Sequence, residues 1–160
     1  MTERSVNHAT IVIERVYDAT PAQVFAAWSD PEALLRWGNP GGDWDVAYDR
    51  FDFRVGGGDV SRFGPKGTEA YVNETQYLDI VPDERIISAG SMTHGENRLF
   101  AGILTVEFFA AGAGCRMVIT EQGAFLDGHD LPENHEAGWN TMLDNLAEEL
   151  RRDAPPPDRR

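Results

Sequence analysis

Glu121 and His135 are the side chains best placed to hold or move a proton. They stand on either side of a short loop in CRMVITEQGAFLDGHDLPENHEAGWNTMLDNLAEEL, the stretch from Cys115 to Leu150. The alternation Met117, Ile119, Glu121 puts a carboxylate on the apolar face of a strand, where an unpaired charge is costly and needs a partner or a purpose. His135 precedes Trp139 by four residues and so shares its helix face. A carboxylate and an imidazole facing one space can anchor a ligand or exchange a proton near neutral pH. Arg98 is the expected neutralising partner of Glu121. The plain alternative is a Glu121 at the strand end, hydrated or bonded to a helix terminus.

Other groupings carry less chemistry. His94, His129 and His135 with Glu121, Glu133 and Glu136 lack the His-x-x-x-His or cysteine-rich spacing of a metal site, so no metal or cofactor is expected. The run Gly56 to Asp59 lacks the Gly-Lys-Ser/Thr ending of a phosphate loop and reads as a hairpin or bulge. Cys115, the single cysteine, reads as a small buried hydrophobe. No Ser-His-Asp or Cys-His arrangement follows from spacing.

The elements that must position Glu121 and His135 are well patterned. Trp139, Met142, Leu143, Leu146 and Leu150 recur at helical spacing, with Asp130 as expected cap and Glu133 as its capping-box partner. Residues 98–110 and 115–123 form a hairpin. Matching its apolar sets pairs Phe108 with Met117, Val106 with Ile119, Leu104 with Glu121, Gly102 with Gly123 and Phe100 with Phe125, and brings Arg98 near Asp127. Ser88, Gly90 and Gly102 stand where large residues would fill a core, which predicts either an open cavity or a close backbone approach. Further strands are expected from Ala9 to Tyr17 and near 44–50, 52–55, 59–64, 69–81 and 84–93. Two short helices begin at Thr20-Pro21 and Asp30-Pro31. A strand, two short helices, an antiparallel meander and one long helix make an α+β sandwich, a curved sheet covered by that helix.

A chain of 160 residues suits one domain, expected over 9–152, with a flexible 1–8 and a disordered Pro-rich tail at 153–160. The formal charge of −13 excludes a phosphate-neutralising surface, so nucleic acid and anionic membranes are poor partners. No apolar run approaches the ~20 residues of a membrane span, and MTERSVNHAT lacks signal-peptide features. A soluble, cytoplasmic monomer or homodimer is the expectation.

RVYDATPAQVFAAWSDPEALLRWGNP, FDFRVGGG, VPDERII, TEQGAFLDG and HEAGWNTMLDNLAEEL, in this order, resemble the activator-of-Hsp90-ATPase-like branch of the START-like (Bet v 1-like) superfamily. The resemblance spans about 9 to 150, and RWGNP departs from it where many relatives carry a second tryptophan. It implies a helix-grip fold with an apolar cavity between sheet and long helix. It also implies binding of a hydrophobic small molecule. The expected lining is Trp28, Trp37, Met92, Phe100, Leu104, Phe125, Trp139 and Met142, with Glu121, His135 and Arg98 as polar groups. Two other activities accompany the resemblance: a cyclase- or hydrolase-like enzyme using Glu121 and His135, and an Hsp90 co-chaperone-like interaction.

Overall fold

The computed structural model describes residues 3–152. The expected tail at 153–160 lies outside them. Seven antiparallel strands and three helices follow in the order β1 (Val6–Tyr17), α1 (Pro21–Ser29), α2 (Pro31–Trp37), β2 (Trp44–Phe51), β3 (Gly58–Pro65), β4 (Tyr71–Val81), β5 (Arg85–His94), β6 (Asn97–Ala111), β7 (Gly114–Leu126) and α3 (Pro132–Arg152). The sheet order is β1-β7-β6-β5-β4-β3-β2, so every consecutive pair from β2 to β7 is a hairpin and β1 closes beside β7. This is the helix-grip arrangement.

Local chemistry explains the helix starts. At α1 the Thr20 hydroxyl accepts from Gln23 N while the Gln23 side chain accepts from Thr20 N, a reciprocal cap ahead of Pro21. At α2 the Asp30 carboxylate accepts from Glu32 N. The start of α3 differs from expectation by one residue. With Pro132 opening the helix, the Leu131 carbonyl takes the first helical bonds, from Asn134 N and His135 N. Asp130 keeps only Oδ1 at the helix start, accepting from Leu131 N and Asn134 Nδ2, so its Oδ2 is free to turn elsewhere, and Glu133 remains in the first turn as a charge suited to the helix dipole.

The β6–β7 pairing follows the apolar match, including Leu104↔Glu121, Gly102↔Gly123 and Phe100↔Phe125. It ends there. Asp127 turns the chain with φ of 57°, and a bulge at Leu99 lets both Leu99 and Phe100 point inward, so Arg98 does not meet Asp127 across the ladder. Two strand boundaries also differ. β1 begins at Val6, paired with Leu126, so residues 6–8 belong to the sheet and not to a flexible N-terminus. Residues 52–55 form no strand: Arg54 N bonds Asp52 O and Gly57 N bonds Arg54 O in a tight turn. The alternation FDFRV arises because Phe53 inserts from this loop between Phe25 and Tyr77, at ring-centroid distances of 5.8 and 4.9 Å.

The core lies under α3. Val106, Met117, Ile119, Leu143 and Leu146 are at most 2 % exposed. Burying each aliphatic side chain of this size is worth about 1.5–3 kcal/mol. Polar ties fix the helix lengthwise. Tyr17 Oη donates to Leu143 O at 3.0 Å, Arg15 reaches Asp144 and Asn140, and Arg36 grips the buried Glu149 with Nε and Nη2. All of these contacts lie over β1, β7 and the two short helices. The inner face of β2–β5 is covered less completely: Tyr77, Ile86, Ser61 and Ser88 are buried, but Trp44, Tyr48, Phe63, Tyr71, Asn73, Thr75, Gly90 and Met92 are only half-buried.

Candidate functional site

The pair expected to do chemistry is present and closed. Glu121 is buried, its Oε1 is 2.7 Å from His135 Nδ1, and its Oε2 accepts from Trp139 Nε1 at 3.3 Å. The other imidazole nitrogen, Nε2, lies 2.6 Å from Asp130 Oδ2. Both contacts are hydrogen bonds at once when both ring nitrogens carry protons, which is the imidazolium. Burial opposes that charge, but the Glu121 hydrogen bond and the charges of Glu121 and Asp130 outweigh it and raise the His135 pKa above its ordinary value. Asp130, displaced from the cap, thus completes a carboxylate–imidazolium–carboxylate clasp between β7 and the start of α3. Its role was legible only as a cap.

Aromatic rings seal the clasp. His135 packs on Phe100 and Phe125 at 4.6 and 4.8 Å. Of the space predicted from Ser88, Gly90 and Gly102, the part above Gly102 is filled by Phe100 itself: a Cβ on Gly102 would lie 2.7 Å from that ring, and one on its partner Gly123 2.0 Å. The glycines on β6 and β7 therefore admit a side chain of the same chain.

The expected lining residues divide. Trp28, Trp37, Phe100 and Phe125 lie in the core, at most 8 % exposed, and Trp37 donates its Nε1 to Ala27 O. Met92, Leu104, Trp139 and Met142 are half-buried at the margin of the core. Arg98 is exposed, on the rim of a surface depression of about 750 Å³ with Arg4, Asp127 and His129. It is not the partner of Glu121, and Asp127 is already held by Arg4 and Ser5 N. Among the described residues, Trp28 Nε1 is a buried side-chain donor without an acceptor.

The concave face carries, beside the expected Ser88, Gly90, Met92 and Leu104, groups that spacing alone did not single out. Cross-strand rows place Tyr48, Ser61, Asn73 and Met92 side by side, then Phe51, Asp59, Thr75 and Gly90, then Tyr77, Ser88 and Leu104. Asp59 accepts from Tyr77 Oη at 2.6 Å. Burial pushes its pKa up, while hydrogen bonds from Tyr77 and Thr75 pull the other way. Burial, reinforced by the charge of Asp59, raises the Tyr48 and Tyr77 phenols, which stay protonated. The glycine run sets this geometry. Gly56 N bonds Tyr77 O, Tyr77 N bonds Gly57 O, and a Cβ on Gly58 would lie 2.1 Å from Thr75 O, so only glycine lets the loop press against β4 and deliver Asp59 beside Thr75. At Gly90, by contrast with Gly123, the nearest groups belong to the neighbouring strand, Glu74 O and Thr75 Oγ1 at 3.2 and 3.4 Å. The row of inward polar residues in otherwise alternating strands was the available signal for this face.

One further group is inert. Cys115 is fully buried, which raises its thiol pKa and leaves no thiolate nucleophile. Among the described residues no group of three or more His, Cys, Asp or Glu side chains is placed to hold a metal ion, and no helix is long and apolar enough to cross a membrane.

This fold and chain match known proteins over nearly their whole length. An uncharacterized protein from Rhizobium leguminosarum is 41 % identical, with a TM-score of 0.86 over 95 % of this chain and 100 % of that one. The Mll3558 protein from Rhizobium loti is also 41 % identical, with a TM-score of 0.81 over 91 % and 99 %. The AHSA1-like protein from Aeromonas hydrophila, at 22 % identity and a TM-score of 0.69 over 90 % and 93 %, shares the fold. No curated protein matches the sequence. The family model described as activator of Hsp90 ATPase homolog 1-like protein matches residues 18–151, and the chain belongs to that family.

Proposed function

We propose that this protein is a soluble, cytoplasmic binder of a small, largely apolar molecule. The molecule is held in the groove between the concave face of β2–β5 and the margin of α1 and α3. One observation carries the reading: much of an inward sheet face, the kind of surface a domain normally buries, stays half-exposed and bears aromatic rings interleaved with Asp59, Asn73 and Thr75, above the buried Ser61 and Ser88. Apolar walls with a few converging polar groups are what small-molecule sites require. Met92, Leu104, Trp139 and Met142 form the apolar margin of the groove. The unpartnered Trp28 N–H adds a donor that an acceptor on a ligand or a water would satisfy.

The clasp at Glu121 supports a positioning role over proton transfer, because both of its carboxylates are spent on His135. A chaperone-facing role rests on the family description, and binding to Hsp90 with stimulated ATP hydrolysis is its assay. The binding reading is tested by a thermal-shift survey of polyketide, aromatic and lipid-like libraries, repeated with Asn73→Trp, which fills the groove from its floor. Ligands that raise the wild-type melting temperature and fail to raise that of the variant support it. A survey in which nothing shifts the wild type, or in which the variant responds equally, overturns it.

A further inference from the structure

Given that groove, its floor chemistry narrows the ligand. One end is walled by a ladder of rings across four strands. Trp44 on β2, Phe63 on β3, Tyr71 on β4 and His94 on β5 lie nearly parallel, at successive centroid distances of 6.3, 5.6 and 4.2 Å and interplanar angles of 13°, 16° and 14°. His94 Nε2 is tied to Glu69 O, which holds the last ring flat on Tyr71. The opposite end is walled by Tyr48, Phe51, Phe53 and Tyr77, in edge or stacked contact with one another. Phe63 and Asp59 are four residues apart on β3, about 13 Å along the strand. That length suits a flat molecule of two or three fused rings.

Asp59 is the inward carboxylate of this half, and its surroundings are incomplete. The Tyr77 and Thr75 hydroxyls donate to it. A carboxylate has about four acceptor positions, so capacity remains. Among the described residues no Lys, Arg or His nitrogen pairs with it; Arg62 and Arg54 pair with Asp49 and Asp52 instead. A half-buried carboxylate ringed by aromatic faces, without a cation of its own, attracts an organic cation twice over, by charge and by the electron-rich faces of the rings. An anionic ligand meets Asp59 and a chain of net charge −13.

We propose that the groove takes a planar aromatic ligand bearing a protonated amine or amidine, its rings against the Trp44–His94 ladder and its cationic nitrogen on the Asp59 carboxylate. The ligand thereby supplies the positive partner that the fold withholds, and the Tyr77 and Thr75 hydroxyls hold the carboxylate in place to receive it.

Three flat probes of similar shape separate the possibilities by fluorescence titration: 9-aminoacridine as cation, 9-hydroxymethylanthracene as neutral molecule and 9-anthracenecarboxylate as anion. The cation is expected to bind at least about ten-fold more tightly than the anion, the ratio a single charge-assisted contact supplies. Asp59→Asn erases most of that preference and leaves the neutral probe within about two-fold. Glu74→Gln, the same charge change on the outward face of β4, leaves all three unchanged. Thr75→Lys, which places a cation beside Asp59 from the floor, reverses the preference and serves if Asp59→Asn does not fold. Equal binding of the three probes, or equal weakening of the cation by Asp59→Asn and Glu74→Gln, overturns the cationic ligand and leaves the groove standing. Failure of all three probes to bind removes the groove reading and this one with it.

Discussion

The two halves of one sheet treat an inward-facing carboxylate in opposite ways. Under α3, Glu121 is bonded by His135 and Trp139, groups delivered by the covering helix, and Phe100 and Phe125 close the remaining space. On the β2–β5 half, Asp59 is bonded by Tyr77 and Thr75, members of its own sheet, and the side facing the groove keeps no partner from a second layer. The difference separates a carboxylate that fastens two layers from one that remains available. Glu121 is buried and Asp59 half-buried, and the layer that supplies the donors accounts for the difference.

The largest effect that tests this contrast comes from His135→Ala. Removing the imidazolium leaves Glu121 and Asp130 facing each other across an apolar gap, and breaking a buried charged arrangement in this way costs about 3 kcal/mol or more. Asp59→Asn, by comparison, keeps an acceptor for Tyr77 and should cost about 1 kcal/mol or less. Urea unfolding of the two variants measures both. Comparable losses would mean that Asp59 is as structural as Glu121, and the contrast would collapse.

The clasp also predicts a pH slope. His135 has a folded pKa above its unfolded value of about 6.5, so its stabilisation is fully present below that value and is lost as pH rises through the folded pKa. The urea midpoint should therefore fall as pH rises above about 6.5, and His135→Gln should flatten the profile. An unchanged slope in the variant would place the titrating group elsewhere.

A smaller effect compares one substitution at two points of one cross-strand row. Gly90, Gly102 and Gly123 are neighbours on β5, β6 and β7. Gly123→Ala forces the Phe100 ring out of its seat, at a cost of about 2–3 kcal/mol. Gly90→Ala meets Glu74 O at 3.2 Å, which a small strand shift relieves, so about 1 kcal/mol or less is expected. If the two cost the same, the groove over Gly90 is as filled as the space over Gly123.

The sequence carries the closed half more fully than the open one, for a physical reason. A face covered by a helix must be apolar at every second residue, so Met117, Ile119 and Val106 reveal the β6–β7 register and, with it, the inward Glu121. His135 follows from the helical period. What the pattern could not show was that Asp130 leaves the cap to grip His135, because that depends on which residue Pro132 leaves to accept the first helical bond. Nor could it show that Phe100 fills the space above Gly102, since a glycine reports room but not its occupant. The open half was harder still. Its inward residues are polar as often as apolar, so alternation no longer marks the face, and the FDFRV run imitates a strand while serving as a loop. Asp59 lies next to that loop, and only the pairing of β3 with β4 shows which way it points.

The smallest expected effect tests where the site ends. Arg98 stood as the partner of Glu121 because extending the β6–β7 register brought it toward the inner face. The bulge at Leu99 spends one residue to turn both Leu99 and Phe100 inward, and Arg98 is left exposed beside Arg4 and His129. Asp127, an acid lining the same depression, is already satisfied by Arg4 and Ser5 N, which holds its carboxyl below the usual range. Arg98→Ala should accordingly leave the urea midpoint, its pH slope and the binding of all three flat probes unchanged. A variant that lost the pH slope would show Arg98 coupled to the clasp after all. One that strengthened 9-aminoacridine binding would show that its charge is felt in the groove, and that the boundary between the two halves must be drawn further toward the Arg4–Asp127 end of the sheet.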